Sequence, residues 1–173
     1  MSSMLRESPR CPFHNCCDLA TIAGSWDNSL RHEGRTRTMT RRGPRLSSVL
    51  RQARSARFLA ATARELPTLR EAGVPLDLLV ASVNDPGERY DRSLEVKTVV
   101  LTDGANGGTA NGVPFAAVPA ERVVDTYGAG DSFAAALAFA LARGDALEDA
   151  LGLGARAGSA VLGGSGPYAA QLA

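Results

Sequence analysis

Residues 125–131 read Asp-Thr-Tyr-Gly-Ala-Gly-Asp and run straight into an apolar, helix-forming stretch, Ser132 to Ala142. Gly128 and Gly130 remove side chains just where a helix begins. The first amides of a helix lack intrahelical acceptors, and the positive end of its dipole lies there. An anion, most often phosphate, is therefore favoured at that place. Asp131 then carries an electrostatic cost, because a carboxylate repels phosphate. The cost has a use if Asp131 takes the proton of an alcohol and so turns its oxygen on a bound phosphoryl group. The plainer alternative is an ordinary Gly-Ala-Gly turn with an aspartate near a helix start. The chemical reading needs a strand, a loop and a helix in succession. Phe115–Pro119 and Arg122–Val124 read as extended, and a helix over 130–143 follows, closed by Gly144.

The elements that must hold this turn are visible upstream and downstream. Phe58–Thr62 reads as a strand. Pro67 suits a first helical turn, so Leu66–Ala72 reads as a short helix stopped by Gly73. Asp77–Ser82 is a buried strand, and Pro86 opens a helical turn near Glu88. Lys97–Thr102 is a near-continuous apolar strand of the parallel, doubly covered kind. A Gly/Asn turn, Asp103–Gly108, leads to a hairpin of Thr109–Ala110 and Pro114–Pro119 around Asn111–Gly112. A second helix over about Leu147–Leu162 places Glu148 and Asp149 at its start, where negative charge is favoured. Strands alternating with helices in this order make half of an α/β sandwich.

A chain of 173 residues is long enough for one domain with its own core. The longest apolar helix candidate, Phe133–Ala142, falls short of the roughly 20 residues that span a bilayer. With no signal peptide at the start, the expectation is a cytoplasmic protein with no membrane partner. The near-neutral charge hides a division. Residues 1–57 hold eleven arginines, no lysine and four acids, whereas 58–173 hold eight basic and fourteen acidic residues. Residues 1–56 show no sustained periodicity and read as a disordered or non-native leader, with at most a short helix over Leu46–Ala56. Its arginines could contact nucleic acid, but it lacks interleaved aromatics and any nucleic-acid module, so nucleic acid is not a favoured partner. Cys11, His14, Cys16 and Cys17 do not have the spacing of a zinc site.

The string Asp125-Thr126-Tyr127-Gly128-Ala129-Gly130-Asp131 resembles the C-terminal signature of the ribokinase-like (PfkB-type) carbohydrate kinases. The resemblance covers residues 57–173, the C-terminal half of such a kinase. It implies a partial α/β/α sandwich with a mostly parallel sheet, and an ATP-dependent phosphoryl transfer to a sugar or nucleoside hydroxyl. In its terms Asp131 is the general base. Gly128, Ala129 and Gly130 form the anion hole, with Thr126 orienting the loop or touching phosphate, and Asp125 ordering it. Thr102, Gly104, Gly107 and Gly108 stand where the family meets the nucleotide. Asn84, Asp85 and Glu88 resemble its Asn-x-x-Glu element, which serves Mg²⁺. The spacing departs from that pattern: Asn84 and Glu88 lie four apart. Gly154, Gly158, Gly163 and Gly166 correspond to the region where backbone approaches adenine or a monovalent cation, although small residues at helical spacing equally mean tight helix packing. The N-terminal half, with the sugar-binding residues and lid strands, is not recognisable in 1–56. Two expectations follow: a truncated sugar kinase, or an inert nucleotide-binding remnant. The open sheet edge this leaves invites pairing, a homodimer included.

Overall fold

The computed structural model describes residues 19–22 and 46–172. Cys11, His14, Cys16, Cys17 and the arginines between 31 and 45 lie outside those residues. The described chain builds one six-stranded sheet with strands in sequence order: β1 (Leu19–Ile22), β2 (Phe58–Thr62), β3 (Leu76–Ser82), β4 (Val96–Thr102), β5 (Gly108–Ala110) and β6 (Val113–Phe115). The first four run parallel, and β5 and β6 are added antiparallel at one edge. Four helices cover it: α1 (Leu46–Ala53), α2 (Leu66–Ala72), α3 (Ala129–Arg143) and α4 (Leu147–Val161).

The period of two along each strand divides the core into two layers. Leu59 and Ala61 of β2, with Leu79 and Ala81 of β3, face the side occupied by Leu50 of α1 and by Leu66 and Leu69 of α2. Ala60, Leu78, Val80 and Val100 face the opposite side and pack against Phe133, Leu137 and Ala140 of α3 and Leu151 of α4. β3 is covered on both faces, which is why its sequence reads as an apolar run without polar alternation. Each leucine that becomes fully buried here contributes about 2 kcal/mol.

Local signals end the elements where the chain turns. Gly73 and Gly144 adopt left-handed conformations after α2 and α3, with φ of 62° and 99°. Asn111 and Gly112 both have positive φ, 50° and 84°, the requirement of a tight hairpin turn between β5 and β6. The Asn111 side chain also accepts from the Val99 amide at 2.8 Å, fixing the turn to β4.

Within the stretch 1–56 the short helix allowed over Leu46–Ala56 is present as α1, which inserts Leu50, 1% exposed, into the core, and β1, which was not expected from the sequence, pairs in parallel with β2. Arg122–Val124, read as extended, joins no strand among the described residues; the Val124 amide donates to Leu162 O at the end of α4, at 2.7 Å. Among the described residues, no helix is long and apolar enough to cross a membrane.

Candidate functional site

The first turn of α3 forms the centre of the site. Gly128, with φ of 84°, turns the chain into the helix. Its carbonyl receives the Ser132 amide at 2.9 Å, and Thr126 O receives the Ala129 amide at 3.4 Å. The amides of Gly130 and Asp131, between these two, have no backbone acceptor among the described residues. A Cβ placed on Gly130 would meet nothing within 4 Å, so the approach to these amides is open. The Asp131 side chain is exposed in the same turn and has no hydrogen-bonding or ionic partner among the described residues. Two N–H donors without a backbone acceptor, the helix dipole and an exposed carboxylate thus share one helical turn.

The loop before α3 is held by the C-terminal segment. Asp125 Oδ1 accepts from the Tyr127 amide at 3.0 Å, and its Oδ2 from the Gly166 amide at 2.9 Å. These two backbone donors hold the Asp125 carboxyl below its ordinary range. Arg122 donates through Nε and Nη2 to Gly163 O, at 3.2 and 2.9 Å. Gly128 lies so close to Pro167 that a Cβ on it would stand 2.6 Å from the proline Cβ. Asp125 therefore shapes the turn and is occupied in doing so. The motif alone does not reveal Arg122, Gly163 and Pro167, because their role depends on a contact some forty residues away in sequence.

Behind the turn, α4 comes close to α3. A Cβ on Gly158 would lie 3.1 Å from Ala129 O, and one on Gly154 would lie 3.1 Å from Phe133 O. These two glycines serve helix packing. On its other side the Phe133 ring stacks on Phe115 of β6, centroids 5.8 Å apart and planes 16° apart. Phe115 pairs with Gly108, and Gly108 with Thr102 at the carboxyl end of β4. The first turn of α3 therefore lies at the carboxyl end of the parallel strands, where open α/β sheets take their ligands.

The other expected residues divide. Gly107 and Gly108 are required by the fold, since a Cβ would come within 2.1 Å of Phe115 O in the first and of Leu101 O in the second. The Thr102 hydroxyl donates back to Ala81 O at 3.3 Å, within the sheet. Gly104 is exposed, and a Cβ on it would meet no atom nearer than Asn84 Nδ2 at 4.0 Å, so it is the one glycine of this loop open to a ligand.

Asn84 and Glu88 do not form a metal pair. Asn84 donates to Asp103 Oδ1 at 2.9 Å, while Glu88 accepts from the Ser82 amide at 2.9 Å and pairs with Arg64 at 3.2 Å. Among the described residues no group of three or more His, Cys, Asp or Glu side chains is placed to hold a metal. The residues expected to serve Mg²⁺ do not fit a protein-held ion.

The sequence model described as pfkB family carbohydrate kinase matches residues 28–172, beginning inside the expected leader. No curated protein matches. Several solved structures do. Adenosine kinase from Sinorhizobium meliloti is 29% identical over 72% of this chain and 46% of its own, with a TM-score of 0.57. A probable sugar kinase from Rhizobium etli CFN 42 is 26% identical over 70% of this chain and 44% of its own, with a TM-score of 0.56. Phosphofructokinase-2 from Escherichia coli, at 20% identity, 73% and 48% coverage and a TM-score of 0.57, shares the fold. The chain spans about half the length of the solved proteins it matches.

Proposed function

The chain belongs to the pfkB family of carbohydrate kinases, and from that premise we propose that it transfers the terminal phosphoryl group of ATP to a hydroxyl of a sugar or nucleoside. The exposed Asp131 carboxylate takes the hydroxyl proton. The alcohol oxygen attacks the terminal phosphorus, the P–O bond to the leaving diphosphate breaks, and ADP departs. Charge on the transferred phosphoryl oxygens meets the Gly130 and Asp131 amides, which have no backbone acceptor to give up. The family and two similar proteins, named as an adenosine kinase and a probable sugar kinase, support a sugar or nucleoside acceptor. No step is routed through a protein-held metal.

One observation carries this reading: two uncapped amides and an unpaired carboxylate stand in the same helical turn. The engagement of Asp85 and Glu88 by Arg64 favours a second reading, a nucleotide-binding remnant without turnover. Release of ADP from ATP and Mg²⁺, measured against a panel of sugars and nucleosides, separates the two. The kinase reading expects acceptor-dependent release that falls about 10²–10⁴-fold in Asp131→Asn, the usual worth of a general base. ATP binding with no acceptor-stimulated release establishes the remnant.

A further inference from the structure

The acidic pair at the end of β3 already has a cation. Arg64 sits in the tight turn directly after β2, and its Nη2 is paired with Asp85 Oδ2 and, at 3.2 Å, with Glu88 Oε1. The other two carboxylate oxygens are also taken. Asp85 Oδ1 accepts from the Gly87 amide at 2.8 Å, and Glu88 Oε2 accepts from the Ser82 amide at 2.9 Å. Each of the four oxygens therefore has a donor, and two of those donors are backbone groups that cannot turn away. Each oxygen keeps a second lone pair, so the obstacle to a divalent ion is charge and space: it would meet a guanidinium already within contact distance of both carboxylates, and like charges at such range repel strongly. Arg64 does not yield by losing its proton, since arginine stays charged at any working pH and the Asp85 carboxylate raises its affinity for the proton further.

We propose that Arg64 is the resident cation of the Asp85–Glu88 pair, standing where a divalent ion would otherwise be bound, so that the chain alone takes up no divalent ion there. The charge that a metal would bring to the carboxyl end of β2 and β3 is built into the covalent chain. The inference holds whether or not the protein turns over a substrate, because it concerns the nucleotide-free chain.

The test uses Mn²⁺ alone as probe, with the full chain and no nucleotide, and follows the electron paramagnetic resonance signal of free Mn²⁺. The wild-type chain is expected to leave the signal undiminished, and Glu88→Gln to change nothing. Arg64→Met, shown folded by circular dichroism, is expected to withdraw Mn²⁺ at least about tenfold more tightly, because two carboxylates at this range attract a divalent ion once the guanidinium is gone. Adding Glu88→Gln to Arg64→Met should cancel that gain. Two results overturn the proposal: uptake by the wild type that Glu88→Gln abolishes while Arg64 is intact, or a folded Arg64→Met that binds no more Mn²⁺ than the wild type. If Arg64→Met does not fold, the comparison of wild type with Glu88→Gln decides the matter by the first criterion.

Discussion

Gly130→Ala separates the two reasons for which a glycine can stand at a helix start. Gly130 is the second residue of α3, does not have positive φ, and has open space where a Cβ would go. The fold therefore has no need of glycine there. Glycine in a helix costs about 0.5–1 kcal/mol relative to alanine through the entropy of the unfolded chain, so the substitution should stabilise by about that much. For a chain of this size that is a rise in melting temperature of about 1–4 °C. Function should move the other way. Helical Cα–Cβ bonds lean toward the N-terminus, so the new methyl group points at the bound phosphoryl. Obstructing one donor to a charged phosphate costs about 1.5–3 kcal/mol, and a loss of about 2.7 kcal/mol within that range is close to 100-fold in affinity. With ATP at 100 times the wild-type dissociation constant, ligand binding should stabilise the wild type by about 2.7 kcal/mol and the variant by only about 0.4 kcal/mol. Thermal unfolding with and without ATP reads both effects in one experiment. A lowered baseline melting temperature, or an ATP-induced shift as large as the wild type's, refutes the placement of phosphate at this turn.

Gly128→Ala should behave in the opposite way. A left-handed φ of 84° costs a non-glycine residue about 1–2 kcal/mol, and the new Cβ at 2.6 Å from the Pro167 Cβ adds an overpacking cost of about 1–3 kcal/mol, so urea unfolding should show a loss of about 2–5 kcal/mol. Asp125 makes the loop sensitive to acid. Its folded-state pKa lies below the ordinary 3.8 because the Tyr127 and then the Gly166 amides bind the carboxylate. The stabilisation is thus fully present above that ordinary value and is lost as pH falls through the lower, folded-state value. Amide hydrogen exchange at Gly166 should accelerate, relative to neighbouring amides, when the carboxylate is protonated, and Asp125→Asn should remove that pH dependence.

Much of the fold is legible in local sequence, and the reasons can be seen element by element. α2 occupies Leu66–Ala72 as its proline and glycine bounds require, and the Asn-Gly turn forms the hairpin its backbone angles demand. β3 and β4 announce themselves by apolar runs of the right length. β1 does not, because four residues within an arginine- and cysteine-rich stretch carry too little periodicity to be told from loop. The site follows the same division. The α3 turn stands out in sequence since its glycines and its acid lie within four residues, although the Ala129 amide expected among the donors is instead engaged by Thr126 O. Arg64 is not, since nothing near it in sequence indicates that Asp85 and Glu88, more than twenty residues on, fold back to meet it. The glycines of the strand-end loop are ambiguous in sequence. Only the backbone contacts show that Gly107 and Gly108 answer to Phe115 and Leu101, leaving Gly104 facing open space.

The two ends of the site are coupled through rings and small residues. Gly154 and Gly158 let α4 press against Phe133 and Ala129, which fixes the first turn of α3 from behind. Phe133 then stacks on Phe115, and Phe115 rests against Gly108 at the end of β4. A displacement of α4 would therefore move the phosphate-facing amides and the strand-end loop together, because packed side chains transmit shifts when no void absorbs them. The clasp of Arg122 on Gly163 and of Asp125 on Gly166 ties the C-terminal segment to the same turn. The donors of the α3 turn consequently owe their placement more to the last two dozen residues of the chain than to the motif itself. The motif supplies the chemical groups, and α4 with the segment after it holds them in position before a ligand arrives, which is the condition under which such donors act on a developing charge without a reorganisation cost.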